Sequence, residues 1–323
     1  MLAKSRLTLA ALAAVALFLE SAFGAGAAGL KVTERKLEEK KRAYEIEYAY
    51  PQTGVPAIDH TIEAWIKEQA QTFAGYAKDW TPQQQNPYSG EISYEVQRND
   101  GTAFAVLFSY YTYTGGAHPN SNYTAFNFLL PDGADVEIGE VFTNAGIERI
   151  SKLSIASLKH DLMPNGDGDG DWIAKGAAAN GANFENFILK PNELAIYFDA
   201  YHVAAYAVGP QEVHIPLAQL RSFMRPDPRA PSPGFDCAKA STDVEHAVCS
   251  SRELARLDRH IADKYFDALL WGPDDAARAK LRNAQRAWLV ARDAQCRGAA
   301  QALTACLMTS YQGRWAAMNK AEE

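Results

Sequence analysis

Residues 103–120 read AFAVLFSYYTYTGGAHPN. Phe104, Val106, Phe108 and Tyr110 fall on one side of an alternating run, which predicts a β-strand over 103–113 with one apolar face. Gly115 and Gly116 follow at once and permit the positive φ that a tight hairpin needs, and Pro119 fixes the chain beyond them. The stretch therefore reads as a long strand that turns back on itself. Its tip also raises a chemical question, because Tyr111, Tyr113, Thr114, His118 and Tyr123 surround the two glycines. As structure the tip is a β-turn. As function it is an exposed aromatic rim for a protein or glycan partner, and the two readings are compatible.

Outward from this strand, Glu45 to Tyr50 alternates in the same way. Between the two, Ile58, Ile62, Trp65, Ile66, Phe73 and Tyr76 recur at helical spacing, with Glu63, Lys67 and Glu68 outward. A second helix is expected over 147–162. Leu194, Ile196 and Phe198 alternate again, and 213–217 forms a last short strand. Strands and helices in this irregular order imply an α+β fold, a mostly antiparallel sheet with packed helices.

RPDPRAPSPG, residues 225–234, holds four prolines and reads as a stiff extended connector. Beyond it the pattern is nearly all helical. Thr242 and Glu245 form a capping box, and Leu254, Leu257, Ile261, Tyr265 and Leu269 form one stripe. WGPDD at 271–275 ends that helix and begins the next, with Pro273 suited to its first turn. Leu281, Trp288 and Leu289 are expected in the core of a third helix, and Leu307, Tyr311, Trp315 and Met318 in that of a fourth. The result is a small helical bundle.

At the other end, Lys4 and Arg6 precede an uncharged apolar run from Leu7 to Leu19 and the small-residue stretch SAFGAGAAG. This pattern reads as a secretory signal peptide cut after Gly24 or Ala27. Its 13 residues are fewer than the ~20 of a membrane-spanning helix. No cysteine stands near the cut to accept a lipid, so no membrane anchor is expected. Cys237, Cys249, Cys296 and Cys306 all lie in the helical part, and in an exported chain they argue for two disulfides. Three connectivities are open; local pairing, 237 with 249 and 296 with 306, is preferred. The spacings of 12, 47 and 10 lack a C-x-x-C pair, which argues against zinc.

The expected layout is thus a signal peptide at 1–27, an α+β domain at 28–222, a proline-rich linker at 223–234 and a helical domain at 235–323. Charge divides at the same place. Residues 28–220 hold 14 Lys and Arg against 25 Asp and Glu, a net of −11, while residues 235–323 hold 13 against 12. Neither part has the basic excess that nucleic acid requires; a cationic partner suits the first.

Catalytic signatures are missing. The seven histidines, His60, His118, His160, His202, His214, His246 and His260, include no pair three to five residues apart, and no P-loop, dinucleotide fingerprint or G-x-S-x-G elbow occurs. Asn165 to Asp171, NGDGDGD, suggests a calcium loop, but no register puts both a glycine and a bidentate glutamate where they are needed, so it reads as a solvated loop.

Three groups of residues resemble known families. TGGAH at 114–118 and the stretch from Asn183 to Leu220, above all YFDAYHVAAYAVGP, resemble the extracellular domain of RsiV-type lysozyme-sensing anti-sigma factors, a module that also precedes the catalytic domain of PdaC-type peptidoglycan deacetylases. Ala200 stands where that pattern commonly has proline, and the separate catalytic domain's His and Asp motifs are absent, so deacetylase chemistry is not carried over. FDCAKASTDVEHAVC, SRELARLDRHIADKY and QRAWLVARDAQC, with Cys306 and Tyr311, are similar to the LprI-type lysozyme inhibitor family.

The resemblance implies a periplasmic or secreted protein that binds lysozyme and inhibits it by occluding its cleft, with no catalysis and no cofactor. A peptidoglycan or cell-wall glycan-binding envelope protein is the alternative. Arg252, Arg256, Arg259, Arg286 and Arg292 are the basic candidates for entering a cleft and otherwise read as solvated helix-surface groups; Arg292 with Asp293 reads as a structural pair.

Overall fold

A computed structural model describes residues 28–84, 86–297 and 302–319, and the signal-peptide reading of 1–27 lies outside them. β1 (Thr33–Lys40) and β2 (Tyr44–Gln52) pair antiparallel, α1 (Pro56–Tyr76) crosses over, and β3 (Tyr88–Asn99) returns parallel to β2. β4 (Ala103–Tyr113), β5 (Asn120–Leu129) and the short β6 (Ala134–Asp135) then add in sequence, each antiparallel to the last. The six strands lie in chain order, and β2–β3 is the one parallel pair among those described. The fold is α+β with a mostly antiparallel sheet, as the pattern predicts.

α1 begins where a proline and an acidic side chain fix the incoming chain, with no side-chain cap on the helix amides. Pro56 occupies the first turn, and Asp59 accepts hydrogen bonds from the Thr53 and Gly54 amides at 2.7 and 2.9 Å. Ile58, Ile62, Ile66 and Phe73 then pack fully buried against Tyr44, Ile46, Tyr48, Ile92, Val106 and Phe108. Burying each such side chain contributes roughly 1.5–3 kcal/mol. Tyr76, placed by periodicity on the same stripe, is instead half exposed, its ring edge-on to Phe73 with centroids 6.5 Å apart.

β4 is apolar on both faces only in its first half. Phe104, Val106 and Phe108 face α1, while Ala105 and Leu107 face a second, antiparallel sheet of β7 (Phe187–Leu189), β8 (Glu193–Phe198) and β9 (Gln211–Pro216). That sheet stops short of the β4–β5 tip, so beyond Ser109 the outer face is open and Tyr111 is exposed. Between the sheets in the chain come α2 (Ile138–Val141), α3 (Asn144–Leu162) and α4 (Gly170–Gly176). Asp169 of the NGDGDGD stretch accepts from the Trp172 amide and so caps α4. α3 packs Ile147, Ile150 and Leu158 on β8 and β9.

The C-terminal region is helical: α5 (Asp243–Ser250), α6 (Arg252–Trp271), α7 (Asp275–Cys296) and α8 (Leu303–Asn319). Thr242 and Glu245 form the expected capping box. Asp274, not Pro273, starts α7, since its carboxylate accepts from the Ala277 amide. Val248, Leu254, Ile261, Leu307, Tyr311 and Met318 make the core. Leu289 does not join it: Leu289 is 36 % exposed and its neighbour Val290 71 %. Only Arg292 and Cys296 of α7 are buried, because α7 touches the bundle along a narrow edge. Disulfides join Cys237 to Cys249 and Cys296 to Cys306, with Cα separations of 5.8 and 5.7 Å. Each staples a core too small to rely on burial alone and contributes roughly 2–4 kcal/mol.

Candidate functional site

The β4–β5 tip gathers part of the expected rim. Beyond the Thr112–Asn120 pair the chain forms a loop wider than a two-residue turn, and of the two glycines only Gly115 is left-handed, at φ 81°. Gly116, Thr114 and His118 are exposed, and Tyr113 is half-buried opposite Ser89 of β3. Tyr111, 40 % exposed, and Tyr123 lie on the same outer face of neighbouring strands; Tyr123 leans on Tyr197 with ring centroids 5.3 Å apart.

His118 stacks on Tyr206 with ring centroids 3.8 Å apart, and Tyr201 lies tilted against Tyr206 at 5.4 Å. The Tyr206 hydroxyl and His118 Nδ1 both donate to the Pro119 carbonyl, at 2.6 and 2.9 Å. Tyr201 is 52 % exposed and is the one described non-glycine residue with positive φ, at 70°. An aromatic residue held in that region at the surface is strained, and such strain concentrates at binding sites. The Tyr123 amide donates to Asp199 at 2.6 Å, and burial pushes the Asp199 carboxyl up to about 6. Tyr201 and Tyr206 belong to YFDAYHVAAYAVGP. The alternation of β4 carries no hint that they meet His118; only the packing of the second sheet brings them there.

A second constellation joins the helices to the sheet region. Glu140 of α2 is 1 % exposed. Arg252 Nε and Nη2 donate to its two carboxylate oxygens at 2.8 and 2.9 Å, and Arg256 Nε and Nη2 at 2.8 and 2.6 Å. Burial alone would raise this carboxyl; hydrogen bonds from Arg256 and Arg252 more than offset that and hold it below the usual carboxylate range. Arg259, buried, donates to the Ser232 and Pro233 carbonyls in the proline-rich stretch, and lies so close to Gly139 that a Cβ there would sit 2.6 Å from Arg259 Cδ. His260 Nε2 lies 2.8 Å from Glu137.

This overturns the reading of Arg252, Arg256 and Arg259 as solvated, while Arg292 makes its expected structural pair with Asp293. Arg252 and Arg256 neutralise Glu140, Arg259 clamps 232–233, and Arg292 donates to Asp293 and to the Tyr311 hydroxyl at 2.9 and 2.7 Å while buried. Sequence spacing marked them as helical, but Glu140, the partner of Arg252 and Arg256, lies over a hundred positions earlier, and the carbonyls that hold Arg259 lie in the proline-rich stretch. Arg286 alone of the five is exposed with no partner among the described residues, one turn before Leu289 and Val290 on the open side of α7.

The chain matches three family models. Residues 37–121 match "Deacetylase PdaC", residues 140–218 "Protein of unknown function (DUF3298)" and residues 237–321 "Lysozyme inhibitor LprI". Peptidoglycan-N-acetylmuramic acid deacetylase PdaC of Bacillus subtilis (strain 168) is 26 % identical over 180 residues, which are 54 % of this chain and 38 % of that protein. The chain thus spans well under half the length of this curated relative. The crystal structure of a DUF3298 family protein from Pseudomonas aeruginosa PAO1 shares the fold, with a TM-score of 0.50 at 15 % identity over 62 % of this chain and 96 % of that one. A DUF3298 member from Bacteroides fragilis NCTC 9343 gives a TM-score of 0.45 at 19 % identity, over 63 % and 96 %. Both expected resemblances, to PdaC-type and LprI-type domains, are met by these matches. No helix among the described residues is long and apolar enough to cross a membrane.

Proposed function

We propose that the chain is an exported lysozyme-binding protein that inhibits the enzyme by occluding its cleft, without catalysis or cofactor. The observation that carries this reading is the match of residues 237–321 to the lysozyme inhibitor model, which spans almost the whole helical region. Two disulfides suit an exported chain. Net charge supports the encounter: lysozymes of animal type are basic, and an acidic region of −11 would steer association, by ~10 to 10³ at low salt.

Steering does not block a cleft. A glycosidase cleft is flanked by two carboxylates, so a basic group backed by apolar surface suits its occlusion. With four of the five candidate arginines committed inside the fold, Arg286 with Leu289 and Val290 on α7 is the element we assign to that task. The test is clearing of a peptidoglycan suspension by lysozyme in the presence of the full-length chain. Arg286→Ala/Val290→Ser is expected to weaken inhibition about tenfold or more while leaving Tm unchanged, since neither side chain is packed. Undiminished inhibition by this variant would rule out α7 as the occluding element.

The exposed, strained ring cluster at Tyr201, Tyr206 and His118 favours a second reading, a glycan-binding envelope protein in which rings stack on sugars. Saturable co-sedimentation with insoluble peptidoglycan, lost in Tyr201→Ala and without any complex with lysozyme, would select it.

A further inference from the structure

The outer face of the six-stranded sheet carries a feature that cleft occlusion leaves unused. Strand register sets Glu38 of β1 beside Glu47 of β2, Glu47 beside Glu91 of β3, and Glu91 beside Tyr111 of β4. Three exposed carboxylates therefore stand in one row across three strands. Like charges directly opposite on neighbouring strands destabilise a sheet. Lys36 lies 2.5 Å from Glu47, and Lys40 lies 2.9 Å from Glu45 in the next row. Glu38 and Glu91 have no hydrogen-bond or ion-pair partner among the described residues.

Two hollows follow this row. One, of about 510 Å³, is lined by Glu38, Glu39, Glu45, Glu47, Glu91 and Tyr111, with Lys40, paired to Glu45, at its β1 edge. The other, of about 260 Å³, is lined by Glu91, Tyr111, Ser109, Ser121 and Pro210. They share Glu91 and Tyr111, so a single groove crosses the sheet from its β1 edge to β5. The second sheet covers the other half of this face, where Ala105 and Leu107 meet Ile188 and Ala195, and leaves the groove open.

We infer that this groove is the seat for a strongly basic protein, whose lysine and arginine side chains pair with Glu38 and Glu91 with a guanidinium plane against Tyr111. The charge on both sides argues for that occupant: Lys36 already pairs with Glu47, while Glu38 and Glu91 on either side of it have no cation of their own among the described residues, and an exposed tyrosine face adds cation–π attraction to a planar guanidinium. A second copy of this chain would bring an equally acidic face and be repelled. The identity of the partner as lysozyme rests on the function proposed above; the cation-accepting groove does not.

The test uses the full-length chain and two double variants of equal charge change. Glu38→Gln/Glu91→Gln alters the groove, and Glu68→Gln/Asp79→Asn alters exposed acids on and just after α1, the helix that covers the opposite face. Binding of an animal-type lysozyme is measured at low and physiological salt. The groove variant is expected to weaken binding about tenfold at low salt, mainly through the association rate, with a shallower salt dependence. It should also raise Tm by about 2 °C as the repulsion is relieved. The control should change affinity less than about twofold. Equal effects of the two variants, or no effect of the first, overturn the groove. Should the wild-type chain bind no lysozyme, the proposed function falls, and an oligoarginine peptide then decides: the same order among the three proteins upholds the groove, and equal or absent binding overturns it.

Discussion

Tyr201 holds a surface ring where its backbone is strained, at a cost of roughly 1–3 kcal/mol. Tyr201→Gly is therefore expected to leave stability unchanged or raise it by up to about 1 kcal/mol in denaturant titration, although a ring is lost. A fall of more than about 1 kcal/mol would mean that the ring serves packing and not an outside partner. Nearby Asp199 makes a claim about pH. Its folded-state carboxyl titrates at about 6 against an ordinary 3.8, so ionising it costs stability. That cost is absent below the ordinary value and grows as pH rises toward about 6. The Tm of Asp199→Asn relative to the wild type should therefore climb between about pH 4 and 7, by the equivalent of roughly 1–2 kcal/mol once partial exposure is allowed for. A difference independent of pH would show that desolvation is not what burdens this group.

Among the elements, the seam between α2 and α6 bears the largest concentration of charge. Glu140→Gln would leave Arg252 and Arg256 beside a neutral amide, and the expected loss is about 3–5 kcal/mol in urea unfolding. Because Glu140 is held below its ordinary value of 4.5, its contribution is complete above that pH and is lost as pH falls through the lower folded value. The acid limb of the wild-type stability curve should flatten in the variant; an unchanged limb would place the acid sensitivity elsewhere. This seam also bears on what sequence reading reaches. α1, α3 and α6 were legible because one face of each is buried and the apolar period is clean, and β4 because its aromatic and β-branched residues alternate before two glycines, although its first half is buried on both faces. β1 (TERKLEEK), β3 (YSGEISYEVQRN) and β5 (NSNYTAFNFL) carried no such signal, since each draws its stability from pairing with a neighbour while much of its surface meets solvent. The strand end at Tyr111, with its turn at His118, was legible from the glycines that follow the strand. Its partners Tyr201 and Tyr206, the glutamate row and the Arg–Glu140 seam were not, because register and docking join residues that local pattern keeps apart.

At the scale of the whole molecule, the proposed function divides the work between the acidic sheet region, which would attract a cation-rich partner, and the disulfide-stapled helices, where α7 would present the occluding edge. Reduction of both disulfides is expected to lower Tm of the helical region selectively, each bridge contributing roughly 2–4 kcal/mol, and to abolish inhibition before the sheet region melts; simultaneous melting would make the fold one cooperative unit. The most direct test of the account is lysozyme clearing of a peptidoglycan suspension with increasing amounts of the full-length oxidised chain, with acetyl release from the same suspension measured alongside. The account predicts that clearing stops near one equivalent of chain to enzyme and that the chain alone releases no acetate; undisturbed clearing at large excess, or acetate released by the chain alone at an enzymic rate, would contradict it.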